Sequence, residues 1–143
     1  MTSLDDLLNE GRIEAVEPDV DVAKNKLKEA KRHLASAATI AANDPEGSYS
    51  LVYDAARKAV DAHMLANGYR ASKSKLGAHE ATARYIEAVI GGAHAADARA
   101  FNRMRKQRNR TEYGNWHISP SILDTDSVHA ARIVDAVKAS VGN

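Results

Sequence analysis

Residues 20 to 68 read VDVAKNKLKEAKRHLASAATIAANDPEGSYSLVYDAARKAVDAHMLANG, and this stretch decides the fold. In its first half, apolar side chains recur at alternating intervals of three and four, at Val20, Ala23, Leu27, Ala30, Leu34, Ala37 and Ala41. That spacing lines up one face of an α-helix. Basic residues that lie off this stripe include Lys24, Lys28, Lys31 and Arg32. The first half therefore predicts an amphipathic helix with a basic outer face.

The second half of the stretch predicts another helix. Asn43-Asp44-Pro45 ends the first one, because the residue before a proline disfavours helical backbone angles. Pro45 suits the first position of a new helix, and Asp44 suits its N-cap. One face of this helix carries Tyr49, Val52, Tyr53, Ala56, Val60, His63 and Met64. Asn67-Gly68 is typical of a helix C-terminus. Two helices with so short a connection are expected to pack antiparallel.

Shorter patterns predict the remaining elements. Ser3 is a suitable N-cap for a short helix within residues 1–17, before Pro18. Further helices are predicted over residues 78–90, from Ala93 to about Gly114, and over about 125–141. The last of these aligns Val128, Ala131, Val134, Val137 and Val141. Residues 69–77 are predicted to form a loop, and residues 114–124 an irregular segment.

These elements predict the fold class and the domain organisation. The expected fold is an all-α, up-and-down bundle of five to six helices without strands. A chain of 143 residues is expected to form one domain over residues 1–143, with the core bundle over about 19–142.

The composition narrows the classes of function. The absence of cysteine excludes disulfides, thiolate zinc sites and cysteine catalysis. The six histidines of the chain lack the close i, i+4 spacing of metal ligands, so neither a metal nor another cofactor is expected. The net charge is only +1, so a nucleic-acid partner can be indicated only by local clustering. The acidic start MTSLDDLLNEGR and the lack of long apolar stretches favour a soluble cytoplasmic protein.

A basic stretch, RMRKQRNRTEYGNWH at residues 103–117, is the candidate functional segment. On a helical wheel of about 100° per residue, Arg105 and Arg108 share the apolar side of Phe101 and Met104. The opposite, solvated face carries Arg103, Lys106 and Arg110. A buried arginine is costly without a partner. The two arginines on the apolar side therefore predict either an ion pair or a site.

Both interpretations use residues at the end of this helix. Glu112 lies four residues after Arg108 and is placed to form a structural ion pair with it. In the other interpretation, Arg105 and Arg108 converge with Asn109, Glu112 and Tyr113 in an anion site, and phosphate is the commonest anion at such sites.

A second basic cluster lies in the predicted loop 69–77. Arg70, Lys73 and Lys75 are interpreted either as solvated residues or as contacts to an RNA backbone. His79 follows this loop. It is predicted either to line a cleft or, in the favoured interpretation, to cap the next helix or face solvent.

The motif RNRTEYG at residues 108–114, with Arg105 upstream, resembles the motif end of HEPN domains. These are small helical bundles of prokaryotic toxin–antitoxin, defence and nucleotidyltransferase-associated systems. The family's motif is an arginine, usually followed by a polar residue, and then a histidine after four to six residues. Arg108 and Asn109 match its start. The segment SLVYDAARKAVDAHMLANGYR at residues 50–70 is similar to the family's second core helix, and the resemblance covers about residues 20–140.

The resemblance implies a mechanism. Active members are metal-independent endoribonucleases that work as homodimers, with two motifs facing each other across a composite cleft. Their arginine binds the scissile phosphate, and their histidine transfers protons during attack by the ribose 2′-OH. Carried over to this chain, Arg108 is the principal phosphate-binding residue. Arg105 upstream of it and Arg70 of the basic loop are the further candidate RNA contacts.

The chain departs from the family at the histidine. Tyr113 stands in its place, and tyrosine, with a pKa of about 10, is a poor base at neutral pH. The site formed by Arg108, Asn109, Glu112 and Tyr113 is therefore predicted to be weakly active or inactive. A second alignment, Arg110 with His117, also satisfies the family's spacing, although Arg110 falls on the solvated face.

Two functions follow from these patterns. The first is an RNA-associated component of a toxin–antitoxin or defence system, with a cognate partner such as a nucleotidyltransferase and with a variant endoribonuclease site. The alternative is a non-catalytic interaction protein that neutralises or scaffolds a protein partner.

Overall fold

A computed structural model describes residues 3–73, 77–114 and 117–142, except for the side chains of residues 111–113. In this part of the chain, six α-helices and two short strands follow each other as α1 Leu4–Asn9, β1 Ile13–Ala15, α2 Val20–Ile40, α3 Pro45–Ala66, β2 Tyr69–Ala71, α4 Ala78–Ile90, α5 Ala95–Tyr113 and α6 Pro120–Val141. A single 3₁₀ turn, Gly92–His94, connects α4 to α5. The predicted all-α helical bundle is thus confirmed.

The bundle is built around α3. Helices α2 and α3 form the long hairpin predicted from residues 20 to 68, and α6 packs against both. Helices α4 and α5 form a second hairpin that packs on α3 and α6. The largest fully buried side chains include Tyr49, Tyr53, Tyr85, Phe101 and Met104. Within the described part of the chain, no helix is both long and apolar enough to cross a membrane.

The helix ends follow the predicted capping chemistry. Ser3 and Asp6 form a capping box at α1, in which each side chain accepts a hydrogen bond from the backbone N–H of the other residue. The Asp44 carboxylate accepts a hydrogen bond of 2.9 Å from the Gly47 N–H, and Pro45 is the first residue of α3. Gly68 has a φ of +85° just after this helix, which L side chains rarely adopt.

The prediction that strands are absent is wrong. β1 and β2 pair antiparallel, with Ile13 opposite Ala71, Glu14 opposite Arg70 and Ala15 opposite Tyr69. Residues 1–17 therefore hold a helix that ends at Asn9 and then a strand. Strands of three residues are too short to show a period of two, and their pairing partners lie far apart in sequence.

The start of the last helix is also corrected. Helix α6 begins at Pro120 and not near residue 125, with the Ser119 side chain accepting a hydrogen bond from the Ile122 N–H. Ser119-Pro120 is therefore an N-cap followed by a first-position proline. Its buried face carries Leu123, Asp126, Ala130, Ile133, Val134 and Val137. Val128, which was predicted to face inward, is 60% exposed, and Val20 of α2 is 42% exposed.

Candidate functional site

The basic helix α5 crosses α3 at Tyr53. The guanidinium carbon of Arg108 lies 5.8 Å from the centroid of the Tyr53 ring, at cation–π distance. The Tyr53 ring also stacks on Phe101, with the centroids 5.5 Å apart. Arg105 and Arg108 are each more than half buried, whereas Arg103, Lys106 and Arg110 are exposed. The helical wheel therefore predicted the burial of the basic stretch correctly.

His79 lies beside the same tyrosine. It is the second residue of α4, and its ring stacks on Tyr53 with the centroids 5.9 Å apart. Its Nδ1 is 2.9 Å from the Tyr53 hydroxyl oxygen, and its Nε2 is 3.2 Å from Nη1 of Arg57. Tyr53 and Arg57 lie four residues apart on α3 and thus share a face. Helices α3, α4 and α5 together assemble a cluster of Arg57, Tyr53, His79 and Arg108, which we call the His79 cluster.

The two contacts of His79 define its proton positions. An arginine guanidinium can only donate hydrogen bonds, so Nε2 of His79 must carry a lone pair. Nδ1 of the neutral ring then carries the proton and donates to the Tyr53 oxygen. Burial lowers the pKa of His79 below its usual range, and the charges of Arg57 and Arg108 lower it further. The ring is therefore a neutral imidazole with a basic Nε2 at neutral pH.

A cleft opens next to the His79 cluster, between α3, β2 and the start of α4. Its volume is about 320 Å³. Its polar lining comprises Lys26, Arg57, Asp61, Arg70, Lys73, His79 and Thr82, and its apolar lining is provided by Met64, Leu65, Tyr69, Ala71 and Ala78. Among the described residues of this lining, four cationic side chains thus face one carboxylate. Burial raises the pKa of Asp61, and its Oδ2 is 3.7 Å from Nε of Arg57. This excess of positive charge suits an anion.

The structure brings only some of the predicted site residues together. Arg108 belongs to the His79 cluster, and Arg70 lines the cleft while its Nε donates to Glu14 Oε1. Arg105 donates from Nε to Asn102 Oδ1 at 3.1 Å and lines a separate groove between α4 and α5, and Asn109 is exposed.

Three of the predicted residues lie, in whole or in their side chains, outside the part of the chain that the structure describes. The side chains of Glu112 and Tyr113 lie outside the described residues, and so does Lys75. The ion pair of Arg108 with Glu112 and the role of Tyr113 therefore stay predictions.

His117 occupies a different place. Its side chain is 87% exposed, and its Nδ1 is 4.0 Å from Glu46 Oε2. The same carboxylate oxygen accepts a hydrogen bond of 2.9 Å from the Ile118 N–H. Because Glu46 belongs to the first turn of α3, His117 is tied to the start of that helix, two turns before Tyr53.

The favoured interpretation of His79 as a capping or solvent-facing residue is wrong. Gly77 is the N-cap residue of α4, and no side chain among the described residues caps that helix. The contact of His79 with Tyr53 and Arg57 joins residues more than twenty positions apart. The sequence signal for this site is the four-residue spacing of Arg57 from Tyr53, although the predicted inner face of α3 included Tyr53 and not Arg57.

Two buried carboxylates elsewhere hold the helices together. The Asp97 side chain, 2% exposed, accepts hydrogen bonds from the side chains of His94, His129 and Arg132 at 2.8 to 3.1 Å. These three contacts outweigh the effect of burial and lower the pKa of Asp97.

The second buried carboxylate, Asp126, is also 2% exposed. It accepts hydrogen bonds of 2.7 Å from the Tyr49 hydroxyl and of 2.6 Å from Nη2 of Arg103. Although half exposed, Arg103 thus binds a buried acid, so the prediction of an ordinary solvated residue is wrong for it.

Comparisons with known proteins add no family and no relative to these features. No protein-family model, no curated protein and no solved structure matches the chain. Among the described residues, no group of three or more His, Cys, Asp or Glu side chains is arranged to hold a metal ion. Fold and site together define an all-α helical bundle with a basic cleft next to a neutral histidine.

Proposed function

We propose that this chain is an RNA-binding protein of the HEPN-like kind, a component of a toxin–antitoxin or defence system, with a metal-independent endoribonuclease site at the His79 cluster. One observation carries the proposal: a neutral imidazole that contacts Arg57 meets Arg108 at one tyrosine, next to a basic cleft. His79 supplies a side chain that can accept a proton at neutral pH, which Tyr113 cannot do. In this proposal, His79 of α4 therefore takes the role of the histidine that the motif lacks.

The proposed reaction needs an acceptor for one proton. The ribose 2′-oxygen attacks the adjacent phosphorus, and its proton passes to Nε2 of His79. The bond from phosphorus to the 5′-oxygen breaks, the 5′-oxygen takes a proton from water, and the products are a 2′,3′-cyclic phosphate and a 5′-hydroxyl. The hydroxide that remains takes the proton from Nε2, which returns His79 to its neutral form. Arg57 and Arg108 stabilise the negative charge that grows on the phosphoryl oxygens.

Arg57 has a second role in this proposal. Without RNA, its Nη1 occupies the Nε2 lone pair of His79 at 3.2 Å. A phosphate in the cleft is a stronger acceptor for a guanidinium than a neutral imidazole, because the bond is charge-assisted. Arg57 would turn to the phosphate and free the Nε2 lone pair, so the base becomes available only when the substrate is bound.

The same cleft favours RNA with an unpaired base. Met64, Leu65 and Tyr69 give its lining an apolar part in addition to the cationic residues. A flipped-out base can pack on such a lining, whereas a duplex offers no free base face. The proposed chemistry uses the 2′-hydroxyl, so DNA would bind without being cleaved.

A cleavage assay tests the proposal. Wild-type protein is incubated with single-stranded RNA in the presence of a chelator that removes divalent cations. The products are examined for 2′,3′-cyclic phosphates. Cleavage should be lost in His79→Ala and kept in His117→Ala, the matched control at an exposed histidine. Cleavage that needs His117 and survives His79→Ala would place the site at Arg110 and His117 instead.

One observation favours a second function. Both ring nitrogens of His79 already have partners, so the cluster can hold an anion without transferring a proton. The protein would then bind RNA or a cognate protein partner without catalysis. In the same assay, RNA that is retained but never cleaved by the wild type, with retention lost in Arg57→Ala, would identify this function.

A further inference from the structure

A second basic site lies away from the His79 cluster, between α2 and α6. A groove of about 510 Å³ is lined by Lys24, Leu27, Lys28, Lys31, Lys138 and Gly142. It is larger than the cleft beside His79, and none of the six residues that line it is acidic. We call this feature the lysine groove.

The spacing of the lysines explains why they meet. Lys24, Lys28 and Lys31 lie at positions i, i+4 and i+7 of α2, which places them on one face of the helix. Lys138 joins them from α6, close to the end of that helix at Val141. Lys26, which lines the cleft beside His79, points from the opposite side of α2. Helix α2 therefore separates two basic sites.

The lysines of the groove are close enough to repel each other. Lys31 and Lys138 both line the groove, and the proximity of Lys31 and burial lower the pKa of Lys138, although Asp135 acts in the opposite direction. Outside the groove, Lys58 forms an ion pair with Glu29, with Nζ 3.1 Å from Oε2. An anion between Lys31 and Lys138 would turn their repulsion into two attractive contacts.

The size and lining of the groove indicate the ligand class. Lysine ammonium groups bind phosphate as point charges, without the planar geometry that arginine demands. Four of them along one groove match a chain of linked phosphates better than a single small anion. Leu27, which is 4% exposed, adds an apolar patch to the lining. We propose that the lysine groove binds an oligophosphate, either inorganic or carried by a nucleoside, independently of the His79 cluster.

Calorimetric titration of the whole chain with inorganic tripolyphosphate tests this inference. The wild type should bind tripolyphosphate, and Lys31→Ala/Lys138→Ala should bind it about tenfold more weakly or worse, since it loses two charged contacts. The control Arg99→Ala/Lys106→Ala removes the same charge from exposed positions of α5 and should bind like the wild type. His79→Ala removes a side chain that lines the cleft and reports any tripolyphosphate bound there.

The possible outcomes separate the alternatives. Equal weakening in both double variants would show a general charge effect and overturn the inference, and so would a lack of binding by the wild type. Loss of binding in His79→Ala would move the anion to the cleft and overturn it too. A parallel titration with a nucleoside triphosphate identifies the source, because tighter binding than tripolyphosphate would mean that the nucleoside is also recognised. Circular dichroism checks that each variant is folded.

Discussion

The hydroxyl oxygen of Tyr53 lies 2.9 Å from Nδ1 of His79, and this contact joins the centre of α3 to the first turn of α4. Tyr53 is fully buried, and burial raises its pKa to about 12, so it keeps its proton throughout the neutral range. The contact therefore holds the imidazole in one orientation and one tautomer.

Tyr53→Phe should destabilise the protein. The substitution leaves the Nδ1–H of His79 without its acceptor, which costs about 1 to 2 kcal/mol in the free energy of unfolding. Urea denaturation measures the change. Tyr69→Phe removes a hydroxyl from a half-buried ring and should cost under about 0.5 kcal/mol. Nitrogen chemical shifts provide a second test, since an Nε2-protonated His79 in the wild type would contradict the assigned tautomer.

The stability of the fold should decrease in mild acid. The pKa of His79 is lowered in the folded protein, so between that value and 6.5 the unfolded chain binds more protons. The free energy of unfolding therefore falls as pH decreases through this window. Burial lowers the pKa of His63 as well, so it contributes with the same sign. The slope of stability against pH should be smaller in His79→Asn, and an unchanged slope would contradict the lowered pKa.

Asp97→Asn should be strongly destabilising. It removes the charge that His94, His129 and Arg132 share and should cost about 2 to 3 kcal/mol at neutral pH. Because the folded-state pKa of Asp97 is lowered, its contribution is present above 3.8 and is lost as pH falls through the folded value. The difference between wild type and variant in urea should therefore shrink in strong acid. Asp124→Asn, at an exposed position of α6, is the matched control.

Two basic residues of the 103–117 stretch should differ in their effect on stability. Arg103→Ala removes the 2.6 Å contact to the buried Asp126 and should cost about 1.5 to 3 kcal/mol. Lys106→Ala changes an exposed residue of the same helix and should cost under about 0.5 kcal/mol. Chemical denaturation of both variants measures this. Equal costs would mean that the contact between Arg103 and Asp126 contributes nothing.

Sedimentation tests the homodimer that the family resemblance implies. At micromolar concentration, the particle mass should be twice the chain mass of 15.4 kDa. A C2 interface formed by the motif ends of two α5 helices would bring both copies of Arg108 to one cleft. A strict monomer would remove the composite cleft and leave a site within one chain.

The sequence predicted those elements whose signals are local. Asp44-Pro45 marks the start of α3 because cap and proline act on neighbouring backbone groups. The β1–β2 pairing joins Glu14 to Arg70 across 56 positions, and no local pattern encodes it. Ser119-Pro120 carried a signal of the same kind as Asp44-Pro45, yet the start of α6 was predicted too late.

The same distinction explains what was predicted of the site. The helical wheel separated Arg105 and Arg108 from the exposed basic residues, because burial on one helix follows from its period. His79 reaches Tyr53 through the packing of α4 on α3, which the spacing of residues within one helix does not specify. The helical wheel predicts that Arg103 is exposed but not that it contacts Asp126, because Asp126 lies on another helix.

The β1–β2 pairing affects how any RNA at the cleft would compete with salt. Glu14 on β1 already neutralises Arg70. RNA that takes over Arg70 would release condensed cations from its own backbone but leave Glu14 to recruit a cation from solution. The two ion movements oppose each other. The change of affinity with salt concentration would therefore correspond to fewer released ions than there are phosphate contacts. The β1–β2 pairing would thus make the affinity for RNA less sensitive to ionic strength.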